Sequence, residues 1–367
     1  MDEPAVRRNP LLALPGAVAA TGPDAGVAAH YGEPLKEQRV LAAGEAVVDC
    51  SNRGVLRVTG PDRLSWLDSL TSQRLTGLRP GDSAETLLLD PAGRIEHAAA
   101  VVDDGEATWL VVEAAEAAPF AGFLDRMRFM LRVEVADVTD GFAVLAALGE
   151  APGMPTGGLV WRDPWTGTAV GGVTRADEDP HPGSGFPLRL VIVPRAALDD
   201  LAAAGARLAG SLALEALRIA AWRPRFAREV DARSIPHELD WLRSAVHLAK
   251  GCYRGQETVA KVHNLGRPPR RLVQLDLDGS DGVLPMPGDA VLDGDAEVGV
   301  VTSAALHFEE GPIALAVVKR STAESDALVV RSADGDLAAA QRVIVPADSG
   351  PAVAVPRLPR LGAVRRA

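Results

Sequence analysis

The chain has 367 residues, 47% apolar and 24% charged, which is too long for one ordinary domain and rich enough to bury a sizeable core, so two or three domains are expected. With 38 basic against 49 acidic residues the net charge is −11, which argues against general nucleic-acid binding or an anionic-membrane footprint and leaves only a local basic patch open. The two cysteines, Cys50 and Cys252, exclude a disulfide framework and any CxxC site, and fit a reducing compartment. One chain with two cysteines cannot supply the four thiolates that an iron–sulfur cluster usually takes, although clusters shared between chains or completed by other ligands stay open.

No apolar run approaches the ~18 residues of a membrane helix. The start Met1-Asp2-Glu3-Pro4 lacks the basic region of a signal peptide, so a soluble cytoplasmic protein with no membrane partner is expected. Residues 1–38 are rich in Pro, Gly and Ala without a sustained period and read as an N-terminal arm. Strand-like runs follow at 46–48 and 55–58. Gly60-Pro61-Asp62 opens a helix with Leu64, Leu67 and Leu70 (or Thr71) as its buried stripe. Residues 86–89, 94–102 and 109–112 read as strands, with a turn at Asp90-Pro91-Ala92-Gly93. The clearest helical period spans 120–131, where Phe120, Phe123, Leu124, Met127, Met130 and Leu131 form a core stripe. Residues 133–139 and 142–148 are strand-like, 149–187 are surface loops, and 188–193 is a strand. Helices are expected over 195–209 and 212–221, the second ending before Pro224.

Residues 266–270 read as a linker. Beyond it the pattern changes to short strands at 272–277, 290–292, 297–302, 313–319 and 328–330, with Asp293-Gly294 as a hairpin signal and 342–345 as a closing strand. A small β-barrel over 270–346 is the natural solution. Residues 347–367 are Pro-rich and read as a disordered tail.

The stretch richest in chemistry is Lys250-Gly251-Cys252-Tyr253-Arg254-Gly255-Gln256-Glu257. Cations two positions either side of Cys252 favour thiolate over thiol, and the glycines suit a shaped loop at a helix end. Cys252 and Lys250 are therefore the candidate reactive pair. Gln256 and Glu257 could fold back to hold Tyr253 or Lys250, or cap a following helix. His247 and His263 flank the octet without a ligand rhythm, so no metal site is expected. Cys50 follows an apolar strand and reads as a core thiol.

This octet resembles the signature of the YgfZ branch of the glycine-cleavage T-protein superfamily, with Arg254 at its variable position. Further blocks resemble the family: Val58-x-Gly60, Leu70-Thr71-Ser72-Gln73, Asp90-x-x-Gly93-Arg94-Ile95, Arg218-Ile219, Pro224-Arg225-Phe226, Glu229-Val230-Asp231, Ile235-Pro236-x-Glu238 and Gly299-x-Val301-Thr302-Ser303. The likeness covers roughly residues 40–345. It implies an α+β, three-lobed ring around a central channel that binds tetrahydrofolate or a substituted folate, closed by the C-terminal barrel. The implied division is a first folate-binding lobe over 39–142, a second lobe over 143–215, a folate-facing segment with the motif over 216–266, and the barrel. For the YgfZ branch it implies support of iron–sulfur cluster assembly or repair through the motif cysteine, with iron–sulfur client or assembly proteins as partners.

The same resemblance assigns folate contacts. Phe226 stands where the family places an aromatic beside the folate, and Glu229, Asp231 and Glu238 lie in the folate-facing segment. A carboxylate can accept the adjacent amino and ring N–H groups of a pterin. Tyr253, Arg254, Gly255, Gln256 and Glu257 complete the candidate set, with Trp222 a further stacking surface and Arg225 and Arg228 further tail contacts. T-proteins carry paired Asp residues where this chain has Gly93-Arg94-Ile95-Glu96-His97, which argues against aminomethyl transfer. Whether the protein is an enzyme stays open. A folate-dependent aminomethyl or one-carbon transferase and a folate sensor or scaffold with an inert cysteine remain the alternatives.

Overall fold

The structure is a computed structural model that describes residues 9–280, 282–324 and 327–349. The tail expected beyond residue 349 lies outside the described residues. In chain order the elements are β1 (Val18–Ala19), β2 (Ala28–His30), α1 (Pro34–Ala42), β3 (Val47–Asp49), β4 (Gly54–Thr59), α2 (Arg63–Leu70), β5 (Ser83–Leu89), β6 (Ile95–Asp103), β7 (Ala107–Val112), α3 (Ala117–Arg126) and β8 (Glu134–Asp137). Then come β9 (Phe142–Ala147), β10 (Leu159–Arg162), β11 (Arg189–Pro194), α4 (Ala197–Ala203), β12 (Leu208–Ala209), α5 (Ser211–Ala220), α6 (Phe226–Glu229) and α7 (Gln256–Leu265). The C-terminal strands are β13 (Arg270–Leu277), β14 (Ala290–Asp293), β15 (Ala296–His307), β16 (Gly311–Lys319), β17 (Leu328–Ser332) and β18 (Gly335–Val343).

Two five-stranded sheets and a barrel follow. The first sheet runs β5-β6-β7-β4-β8, and α2 and α3 cover one face with Trp66, Leu67, Phe120 and Leu124. The second runs β10-β11-β9-β3-β12, with β12 parallel to β3, and packs against α4 and Leu11 on one side and α1 and α5 on the other. The lobes interleave, because β3 joins the second sheet from within the span 39–142. The six C-terminal strands close as β13-β16-β15-β14-β17-β18, confirming the α+β class and the barrel.

Four local readings change. Residues 149–187, expected as surface loops, include β10, and Trp161 and Trp165 there are buried. The helix expected over 120–131 stops at Arg126, with Met127 as its C-cap; beyond it Phe129 takes a left-handed φ of 46°, and Phe129 and Met130 are 81% and 98% exposed. Met130 and Leu131 are thus surface residues, not core. The helix expected over 195–209 is only α4, because residues 208–209 pair with β3. Within the arm, Pro34 starts α1, whose Leu41 is fully buried, while Asp24 reaches Arg225.

Candidate functional site

The motif loop is a lock between lobes. Lys250 has a side chain only 1% exposed, and its ammonium donates to the carbonyls of Thr71 (2.7 Å), Gln73 (2.9 Å) and Asp68 at the end of α2. It also lies 3.5 Å from the Asp68 carboxylate and over the Tyr253 ring. Burial pushes its pKa down to about 8, against the pull of Asp68. Tyr253 is a core residue whose phenol burial raises to about 12. Arg254 pairs with Glu96 at the start of β6 and sits over the Phe123 ring of α3.

Gly255 caps α7 with φ of 83°, and a Cβ there would meet the Asp90 carbonyl at 2.5 Å. Gly93 in the facing turn has φ of 78°, so two backbones interlock where side chains would clash. Gln256 and Glu257 form the first turn of α7, where an acidic side chain suits the helix dipole. Neither side chain hydrogen-bonds Tyr253 or Lys250 among the described residues.

Cys252 is exposed and Cys50 is buried, as their settings suggest. The two cations expected to favour the thiolate each have partners of their own: Lys250 donates to the carbonyls of Asp68, Thr71 and Gln73, and Arg254 pairs with Glu96. Lys250 thereby pins the loop to the end of α2.

The acids expected to contact folate are engaged within the fold. Glu238 is fully buried and accepts from Arg270 Nε (3.0 Å) and Nη2 (2.8 Å) and from the Ile235 amide. Glu229, also buried, accepts from Arg218 (3.0 Å), the Arg225 amide (2.8 Å), Thr302 (3.0 Å) and Ser303. Asp231 takes two bonds from Arg270, which hold its carboxyl well below the usual range. These three acids staple the barrel to the central segment. None of them lines the chamber. Trp222 is likewise buried, donating to Gln274 at 2.7 Å.

The chamber lies between the two sheets, with an open volume of about 130 Å³. Ala98, Ala100 and Val111 of the first sheet face Trp161 and Leu190 of the second, and Arg218, Arg223, Phe226 and Trp241 contribute from the central segment. Of the expected folate contacts, Phe226 and Arg225 line it. Arg223 joins Glu85 (2.6 Å) and Asp163 (2.8 Å), while Arg225 joins Asp24, Glu113 and Glu215. Burial opposes ionisation of Glu113, but Arg53 and Arg225 outweigh it and bring the carboxyl down to about 2. Cys50 also lines this space, and burial raises its thiol to about 12.

Sequence reasoning missed Trp161, Trp241, Glu85 and Asp163. The one signal available was the run Arg218, Arg223, Arg225, Arg228 in an otherwise apolar stretch, since four guanidiniums so close together require buried acids from elsewhere.

Two sheets around an aromatic-walled chamber, with a barrel stapled to one side, define a T-protein-like architecture. The family model described as the GCVT N-terminal domain matches residues 30–151, and that described as the glycine cleavage T-protein C-terminal barrel domain matches 270–347. The chain belongs to the glycine-cleavage T-protein superfamily. A chloroplastic Arabidopsis thaliana protein named as a transferase is 29% identical over 71% of this chain, which spans only 62% of that relative. An aminomethyltransferase of Corynebacterium jeikeium is 25% identical over 81% of this chain and 84% of its own length. A Mycosarcoma maydis protein named as a mitochondrial iron–sulfur cluster assembly factor homologue is 25% identical over 61% of this chain and 55% of its own. The crystal structure of the glycine cleavage system aminomethyltransferase T from Bartonella henselae superposes with a TM-score of 0.71 over 92% of this chain and 95% of that one; at 18% identity this is a likeness of fold.

Proposed function

We propose that this protein is a YgfZ-type member of the superfamily that binds tetrahydrofolate or a substituted folate and supports assembly or repair of iron–sulfur proteins in the cytoplasm through Cys252. The observation that carries the choice is the Arg254–Glu96 pair. Glu96 lies in the stretch Gly93–His97 that the resemblance sets against the paired Asp residues of T-proteins, and here it is bound by the motif arginine. The name of the Mycosarcoma relative supports the iron–sulfur side. The names of the aminomethyltransferase relatives support one-carbon transfer at family level only.

The chamber fits one end of a folate. Its volume is near the ~150 Å³ that accepts a single aromatic ring, well short of the ~300 Å³ of a whole small-molecule site. Phe226, Trp161 and Trp241 offer ring faces for such a ring. Phe226 would hold the ring, and the remainder of the ligand would leave through the open side. The folate supplies any one-carbon chemistry. The chain's own residues bind the ring, exclude water and present a thiol outside the chamber.

The test pairs two measurements. Calorimetric titration with tetrahydrofolate should show binding by the native protein and weaker binding by Phe226→Ala. Cells lacking the protein should regain iron–sulfur enzyme activity with the native chain and not with Cys252→Ser. Binding without the cellular requirement for Cys252 would favour the sensor or scaffold, and turnover of an aminomethyl donor would favour the transferase.

A further inference from the structure

The walls of the chamber are not equally fixed. At about 130 Å³ it is no larger than the ~150 Å³ that accepts one aromatic ring, so a ring enters only where a wall yields. Ala98, Ala100, Val111, Trp161 and Leu190 stand on strands paired within the two sheets. Asp24 and Val27 line the same space from the N-terminal arm. The arm is pinned at its ends by apolar burial, with Leu11, Val27 and Ala28 at most 2% exposed. Between Leu11 and Val27, among the described residues, Asp24 is the only buried one. A carboxylate, not a core side chain, holds this stretch down.

Its contacts make a latch. Asp24 accepts from Arg225 Nη1 (3.1 Å) and Nη2 (2.8 Å) and from Arg228 Nη2 (3.4 Å). The Pro23 carbonyl accepts from the Asn52 side-chain amide at 3.1 Å, and the Gly26 carbonyl from that of Asn9 at 2.9 Å. Gly22 and Gly26, both at positive φ, bracket the latch and can absorb its swing. Arg225 keeps Glu113 and Glu215 when Asp24 lets go. Release therefore strands no buried cation and returns the Asp24 carboxylate to water.

We propose that residues 12–26 form a strap across the chamber, latched by Asp24 on Arg225 and Arg228. The strap swings open to pass the ligand's ring to and from its seat at Phe226, the residue next to Arg225. Closed, it shuts water away from the ring; open, it gives access to Cys50, which lines the same space. The identity of the ligand rests on the folate reading, and the strap is tested both with a folate and without one.

Stopped-flow quenching of Trp161 and Trp241 follows 5-formyltetrahydrofolate, a substituted folate that needs no added reductant, onto and off the protein. Pro23→Cys/Asn52→Cys, in a Cys252→Ser background, ties the strap shut when oxidised and frees it in dithiothreitol. The oxidised form should take up and release the ligand about tenfold more slowly than the reduced form. Equal rates overturn the strap. Asp24→Asn keeps the size of the side chain and drops its charge, so both rates should rise together by about threefold, with Kd within about twofold of native. A rise in dissociation alone makes Asp24 a ligand contact and overturns the proposal. Without ligand, iodoacetamide labelling of Cys50, read by peptide mass, should be about tenfold slower in the oxidised form than in the Cys252→Ser chain. Equal labelling again overturns the strap. A native chain that binds no folate overturns the folate reading alone, and the labelling of Cys50 then decides the strap.

Discussion

Arg254 of the thiol loop and Glu96 at the start of β6 form a two-point ion pair, with one Nη2–Oε1 distance of 3.4 Å, and the guanidinium lies over Phe123. The pair joins the residue after Tyr253 to the second residue of β6. Both side chains are about one-third exposed. Solvent screening therefore limits their contribution, and Glu96→Gln should cost less than about 1 kcal/mol in urea unfolding. Its larger effect is local: amide exchange over residues 251–256 should quicken and the alkylation rate of Cys252 should change. Unchanged exchange would show that the interlocked glycines alone hold the loop.

Glu238→Gln is expected to act on stability and not on folate. The carboxylate has no route to the chamber and accepts two bonds from Arg270. Losing its charge should cost roughly 1.5–3 kcal/mol while tetrahydrofolate affinity stays at the native value in the folded protein. A clear loss of affinity at unchanged stability would return Glu238 to the binding site.

The two cysteines should behave oppositely. Cys252→Ser changes an exposed side chain and should leave melting and folate binding as they are while removing cellular function. Cys50→Ser places a hydroxyl in the buried lining of the chamber and should cost on the order of 1–3 kcal/mol, with function kept by whatever folds. If Cys252→Ser melts the protein and spares function, the thiol is structural.

Acid should unfold the protein partly through histidine. Burial pushes His237 down to about 3, and His181 down to about 4, from an ordinary value near 6.5. Below ~6.5 the unfolded chain takes up protons that the native state refuses, so stability falls as pH drops from ~6.5 toward ~3, by up to about 1.4 kcal/mol per pH unit for each histidine. Asp240, which burial raises to about 6, works in the opposite sense between its ordinary value and that figure. Urea midpoints at pH 7, 5 and 4 should therefore show a steeper loss for the native protein than for His237→Gln. Parallel slopes would remove His237 from the acid limb.

The sequence by itself determined the superfamily, the barrel and the exposure of Cys252. Those depend on local patterns: turn residues between short strands, two glycines beside a thiol, and a helix start after it. A left-handed glycine at a helix cap is a requirement of the backbone, and it survives whatever packs around it. Tertiary structure alone decided where charge goes. Lys250 looked like a neighbour of the thiol because it is two residues away, yet its long side chain turns back to the carbonyls of Thr71 and Gln73, just past α2 and nearly two hundred residues earlier. Glu229 and Glu238 looked like free acceptors until Ser303 and Arg270 returned from the barrel to claim them. The helix expected through Leu131 failed for the same kind of reason: its apolar period continues past Arg126, but the Asp62–Arg132 contact turns the chain and leaves Phe129 and Met130 outside. Burial and ion pairing depend on which distant segments return to a site. Residue spacing along the chain carries no record of that.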